Sequence, residues 1–345
     1  MGIFNSETKN QHYVSQVEQR ANASNKNASN AKQKIYKYTK NEEGQFDSGV
    51  STKIENNLSD NDLYTLATEG KQRKNLENLM NKLESDYSEA VSNIEKSCET
   101  HKNSGTFSPV DIEDIKKIYS LKLLTKYRNP YQIKETLRFI SFTKNLILDD
   151  DRHLEALIAL YKAKNNIDFL SKKYKVTKDE YISWLNTLVG LLLPVNDESL
   201  FSGIVNELFN APEFGKNIFI YYYDTDSVLL PDCGILGLEN SNELIYALNV
   251  TSKIFIILKM SVCLDFNSFK VKHRTSTQMD ELIKDMKHRY PNITDKDIQN
   301  YLEFERLIKA STSFTYLENN SQMLNIFNNF VKNRSKQYYF SSSSI

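Results

Sequence analysis

Five histidines and three cysteines are the side chains of this 345-residue chain best suited to moving protons, acting as nucleophiles or ligating a metal. Their spacing argues against most of that chemistry. Cys98, Cys233 and Cys263 are far apart and odd in number, so they form neither a disulfide framework nor a zinc-spaced cluster. His12, His101, His153, His273 and His288 include no His-x-x-x-His pair and no His-Glu-x-x-His. A glycine-rich phosphate loop, a nucleophile elbow and a kinase signature are all missing from the sequence. What stands out is His12-Tyr-Val-Ser-Gln16. An imidazole can act as acid or base near neutral pH, although a lone histidine beside an aromatic is more commonly a hydrogen-bonded structural group.

Three further features have chemical potential and an ordinary explanation. Lys270, Lys272 and Arg274 form a local basic cluster that can touch phosphates, with Lys284–Arg289 adding charge nearby; such runs usually belong to solvated faces. Tyr221-Tyr-Tyr223 can stack on bases, but strand residues alternate faces and serve the core. Trp184 sits among apolar positions at helical spacing and reads as packing.

The elements that must position these residues follow from periodicity. Residues 21–33 are polar and low in complexity, which reads as a flexible surface loop. Lys34–Thr39 alternates as a strand, and Asn41–Gly44 supplies a turn before Gln45–Asp47, so an early hairpin is expected. Leu76, Leu79, Met80, Leu83, Tyr87, Ala90, Val91 and Ile94 mark one face of a long amphipathic helix between Lys71 and Cys98. Ser108-Pro109 signals the next helix, which must stop before Pro130. Helical patterns continue over 131–146 and 152–171, and Thr177–Glu180 has capping-box spacing ahead of another helix. A short helix is expected over 198–210. Between 217 and 262 the period falls to two and five strands are expected; helices resume over 277–289, 295–309 and 321–334 before a last strand at 337–341. The expected class is α+β, predominantly helical, with one sheet gathering N-terminal, central and C-terminal strands around a single integrated domain.

Composition sets outer bounds. Lys+Arg and Asp+Glu both number 44, so no global charge excess points to nucleic acid or anionic lipid. Hydrophobic content of 40% supports a folded core rather than a disordered chain. The longest apolar run, Leu188–Val195, is too short to span a membrane, and the N-terminus lacks an apolar signal region. Met1-Gly2 with Ser6 fits a myristoylation pattern that is common by chance. The expectation is a cytoplasmic, reduced protein with no membrane association.

Several short segments, in order, resemble the bacterial family called domain of unknown function 4238. The His-Tyr-Val-Pro-Gln opening of that family reads His12-Tyr-Val-Ser-Gln16 here. Its early strand is similar to Lys34–Lys40, and its aromatic-ending segment to Asp62-Leu-Tyr-Thr65. Its paired-glutamate helix matches Asn75-Leu-Glu77 and Lys82-Leu-Glu84, and its Arg-x-Pro-like turn matches Arg128-Asn-Pro130. Leu230–Gly234 is the nearest counterpart of a Ser-Asp-Asn-Pro segment, keeping only Asp232; Asn328, Ser335 and Tyr338–Ser341 resemble the closing pattern. The departures are Ser15 for proline and Val17-Glu-Gln-Arg20 for an aromatic-rich stretch.

The resemblance implies a role in protection against phage, without a reaction. The retained residue types extend that to a hydrolase: His12 as acid or base, Arg128 as phosphate clamp, and Glu84 and Asp232 orienting the histidine or holding a divalent metal. Tyr13, Gln16 and Asn328 would join the binding surface with the basic cluster. The reaction that fits is hydrolysis of nucleic acid or a nucleotide. The competing roles are a solvated Glu84, a helix-terminal Arg128 matched to the dipole and a turn-forming Asp232. The competing function is a non-enzymatic sensor that binds a phage component. Convergence of His12, Glu84, Arg128, Asp232 and Asn328 in one pocket is the expectation that separates them.

Overall fold

A computed structural model describes residues 3–69, 72–104, 110–140, 150–162, 166–211, 214–239, 243–262, 283–284, 286–288, 293–298 and 312–344. The basic cluster Lys270, Lys272 and Arg274 lies outside the described residues, as do Ser108-Pro109, 141–149 and most of the expected helices over 277–309.

The chain opens with β1 (Asn5–Ser6) and β2 (Asn10–His12), then α1 (Gln16–Ala21). Ser15 starts that helix: its hydroxyl accepts the Glu18 amide, so this serine is a working N-cap. Asn22 turns inward and exchanges amide hydrogen bonds with Asn249, which tethers the polar segment 21–33 at its first end. β3 (Lys34–Thr39) pairs with β4 (Val50–Lys53) rather than with 45–47, where only a Lys40–Phe46 bridge forms. β5 (Ser59–Asn61) pairs with β2, and β6 (Thr65–Glu69) with β7 (Gln72–Asn75), which also holds β1. That pairing removes 72–75 from the expected helix, so α2 runs over Glu77–Ser104.

α3 (Ile112–Arg128) is capped by the Asp111 carboxylate and buries residues on all sides, among them Ile115, Leu121 and Leu124. A helix enclosed by neighbours ordinarily excludes charge, yet Lys122 and Arg128 are both fully buried within it. It ends at Asn129, which caps the following turn at Pro130. α4 (Ile133–Phe139), α5 (Asp151–Lys162) and α6 (Ile167–Lys173) lead to α7 (Lys178–Leu192), where the Thr177–Glu180 capping box is formed in full. Trp184 of α7 is buried and donates its indole N–H to the Tyr127 carbonyl at 2.8 Å. The hairpin β8 (Pro194–Val195) and β9 (Glu198–Ser199) precedes α8 (Leu200–Asn210).

The remaining strands are β10 (Phe214–Tyr222), β11 (Leu230–Pro231), β12 (Leu236–Glu239), β13 (Glu243–Thr251), β14 (Ile254–Val262), β15 (Thr312–Glu318) and, after α9 (Ser321–Arg334), β16 (Tyr338–Ser341). A five-stranded sheet has the order β12-β13-β14-β10-β15, antiparallel except for the parallel β10–β15 pair. A four-stranded sheet, β11-β16-β3-β4, gathers N-terminal, central and C-terminal strands. The architecture is therefore α+β, with the gathering sheet beside a second, larger one.

Alternation along β10 divides the core. Ile218, Ile220 and Tyr222 face the cluster built with α2, α3 and α7, whereas Tyr221 and Tyr223 pack with Phe255 and with Phe327 of α9. The Tyr221 and Phe255 rings stack at 4.6 Å, so the tyrosine run serves the core, as the strand period predicts.

Candidate functional site

Two stretches of backbone bring the polar residues together. Strand β2 delivers His12 and Tyr13 to the C-terminal end of α3, and α2 lies alongside with Glu77, Met80 and Glu84 on one stripe. Positions 77, 80 and 84 share that stripe because three- and four-residue steps repeat the helical turn.

Arg128 is the centre. Its Nε donates to the Tyr13 carbonyl at 3.2 Å, and Nη1 donates to Glu84 Oε1 at 3.1 Å and contacts Met80 Sδ at 3.2 Å. Nη2 is buried and makes no hydrogen bond. The arginine side chain is 1% exposed and the Glu84 side chain 27%, so the cluster reaches solvent on the Glu84 side. The Arg128 carbonyl accepts the hydroxyl of buried Tyr64 at 2.8 Å, fixing the helix end.

Glu77, one turn and more before Glu84, is the residue that sequence reasoning left without a role. Its Oε1 is buried and unbonded, and burial, opposed by Arg128 and reinforced by Glu84, lifts its carboxyl to about 7. The available signal was the seven-residue spacing of Glu77 and Glu84, which puts two acids on the face of a helix that should be apolar.

His12 is locked by both ring nitrogens. Nδ1 lies 2.9 Å from the Asn57 carbonyl, which can only accept, so Nδ1 carries the proton. Nε2 then accepts from the Gln16 amide at 2.8 Å, and Gln16 presents its oxygen to Arg20. Burial, with the charges of Arg128 and Arg20, lowers the imidazole to about 4 despite the Asn57 bond. The ring is neutral at physiological pH with its lone pair on Nε2. Arg20, which falls where the family has an aromatic-rich stretch, thus fixes the Gln16 rotamer, and its own Nε is buried and unbonded.

A second buried pair supports the first. Glu18 Oε1 and Lys122 Nζ are 2.8 Å apart and both side chains are fully buried. Ser15 and Thr125 hydroxyls donate to Glu18 Oε2, and the ammonium lies 5.6 Å from the Tyr87 ring centre. Burial raises the Glu18 carboxyl, but Lys122 and Thr125 outweigh it and hold it below the usual range.

Asp232 and Asn328 have different work. The Asp232 carboxylate is fully buried and accepts the backbone N–H groups of Lys336, Gln337 and Tyr338 at 2.7–2.8 Å. Burial raises it to about 6, and those amides limit the rise. Gly234 permits the turn behind it: φ is +72°, and a Cβ there would meet the Lys122 carbonyl at 2.3 Å. Asn328 accepts from Leu229 N and donates to the Ser227 carbonyl. These contacts anchor the C-terminal strand and its neighbouring loop, and the Asp232 carbonyl accepts from the side chain of Asn129, next to Arg128, at 2.8 Å. Tyr13 is the link, since it offers its carbonyl to Arg128 and its ring to Tyr131, edge-on at 6.0 Å.

A divalent metal would need several carboxylate or imidazole donors turned to one point. Glu84 faces a guanidinium and Asp232 faces amides; among the described residues no group of three His, Cys, Asp or Glu side chains is placed to hold a metal. Among those residues, too, no helix is long and apolar enough to cross a membrane.

The fold and the cluster define an α+β protein whose N-terminal half assembles a buried histidine–arginine–glutamate site on two helices and a short strand. The family model "Protein of unknown function (DUF4238)" matches residues 10–189, more than half of the chain, and the chain belongs to that family. His12, Gln16, Glu77, Glu84 and Arg128 fall inside the matched span, whereas Asp232 and Asn328 fall outside it. No curated protein and no solved structure matches the chain.

Proposed function

We propose that the protein is a cytoplasmic anti-phage effector that hydrolyses phosphoesters of nucleic acid or nucleotides at the Arg128 cluster. The observation that carries this reading is the Arg128 guanidinium, held on three sides with Nη2–H buried and unbonded. A fixed cation with a free donor suits a phosphoryl oxygen whose charge grows during hydrolysis. Two proton carriers accompany it. The His12 Nε2 lone pair, once the Gln16 amide turns away from it, can take a proton from the attacking water, and Glu77 in its acid form can give one to the leaving oxygen as the P–O bond breaks. Glu84 orients the guanidinium.

Purified protein incubated with RNA, single- and double-stranded DNA and nucleoside triphosphates tests the proposal. Wild type should release shorter strands or nucleoside products, and Arg128→Lys should not, with folding checked by circular dichroism. Intact substrates in every case, with phage protection preserved in His12→Asn, would reject it.

A second reading has its own observation. A cleft of about 620 Å³ lies on the opposite side of α2, lined by Leu79, Lys82, Leu83, Lys116, Phe201 and Val205 among others. Its mixed apolar and charged lining suits a protein partner, such as a phage component that acts as trigger. Loss of protection in Lys82→Glu with Phe201→Ala, but not in His12→Asn, would favour the sensor.

A further inference from the structure

We propose that Arg128 and Glu77 together bind a tetrahedral oxyanion, and that Glu77 must carry its proton for the anion to enter. This rests on the phosphoester reading and gives its phosphoryl group a second protein partner.

The argument is one of charge and hydrogen-bonding sense. Arg128 is fully buried, with Nη2–H unbonded, and Glu77 Oε1 is likewise buried and unbonded, while each feels the charge of the other. The groups around Glu77 are Arg128 from α3, Glu84 from its own helix and the Tyr64 phenol from the turn before β6; His12 and Arg20 stand beyond Arg128. With Glu77 ionised, the Arg128 guanidinium faces two carboxylates, and an arriving anion is repelled by both. With Glu77 protonated, Glu84 alone balances Arg128. The site then offers an O–H from Glu77 and an N–H from Arg128, the two donors an oxyanion accepts. Glu77 changes form close to neutral pH, so the condition is met within the physiological range. Arg20 adds positive charge from α1, and Glu84 is the solvent-facing side by which an anion arrives.

Sulfate is the probe, because it is tetrahedral and does not itself titrate near neutrality. Calorimetric titration of the full chain should show affinity falling about tenfold between pH of about 6 and about 8, as Glu77 loses its proton. Glu77→Gln, whose amide keeps a donor without the charge, should bind at both pH values as wild type does at the lower one. Glu84→Gln should tighten binding at both. Absence of sulfate binding by wild type at the lower pH overturns the proposal, as does the same fall in Glu77→Gln. If Glu77→Gln does not fold, Glu84→Gln decides: tighter binding supports the site and unchanged binding overturns it. Sulfate binding with this pH dependence in a protein that cleaves no phosphoester leaves the anion site standing and removes only the hydrolase reading. Cleavage by a protein that ignores sulfate does the reverse.

Discussion

Two buried polar regions of this protein solve the same problem in opposite ways. Around Asp232 and Asn328 every side-chain oxygen and amide described is spent on backbone: three N–H groups on one carboxylate, and an N–H with a carbonyl on one amide. Around Arg128 the partners are mostly side chains, and Arg128 Nη2, Glu77 Oε1 and Arg20 Nε are left unbonded in the interior. Burying an unbonded polar atom costs on the order of 1–3 kcal/mol, so these atoms carry a cost that the Asp232 region avoids. Saturation by backbone marks residues that hold the chain; the unsaturated side chains are the ones on which the proposed anion site rests.

The largest test of that contrast breaks the support beneath the Arg128 cluster. Lys122→Met leaves Glu18 charged and unpaired in the interior and should cost about 3–5 kcal/mol, read from denaturant unfolding. Asp232→Asn should cost about 2 kcal/mol, because the amide NH2 takes the place of one carboxylate oxygen and faces at least one of the three N–H groups donor to donor. In that variant, hydrogen exchange should quicken at Lys336–Tyr338 while sulfate binding at Arg128 stays unchanged. Loss of binding would erase the distinction between the two regions.

Proton linkage sharpens the comparison further. His12 is held at about 4 in the folded protein against an ordinary 6.5. Between those values the unfolded chain binds more protons, so this contribution is complete above the upper value and is lost as pH falls, by up to about 3 kcal/mol. Glu77 has the opposite sign. Folded at about 7 against an ordinary 4.5, it makes the folded chain bind more protons, and stability declines as pH rises between them. His12→Asn should flatten the acid limb of a melting-temperature profile, and Glu77→Gln the decline towards neutrality. The smallest expected effect is Ser15→Pro. The φ of −58° already suits proline, whose stiffness offsets part of the about 1 kcal/mol cap, and Thr125 still donates to Glu18 Oε2 when the Ser15 hydroxyl is gone, so the net loss should stay within about 2 kcal/mol.

The residues of the site were legible where residue type alone carries the signal. Arg128 reaches Glu84 directly, and its charge is felt by His12. Glu77 was hidden because a glutamate at a helix start is ordinarily a favourable solvated charge, and only its neighbours reveal that its Oε1 is buried. The setting of Asp232 was not legible for a related reason: a lone acid in a turn looks the same in sequence whether it faces substrate or three amides. Elements with long periods, α2, α3, α7 and the strands between 214 and 262, were readable from spacing. The short strands β1, β2 and β5–β7 were not, since two to five residues are too few to establish a period and their pairing is set by chain partners distant in sequence.

The gathering sheet also sets a schedule. β16 sits between β11 and β3, with Tyr338 opposite Thr39, so β3 lacks one neighbour until some three hundred further residues have been made. At about 5–20 residues per second that is roughly 15–60 s of synthesis. The Asp232 carboxylate must wait for the same segment, because all three of its amides lie at 336–338. A nascent chain therefore carries the whole histidine–arginine–glutamate cluster long before the sheet beside it can close.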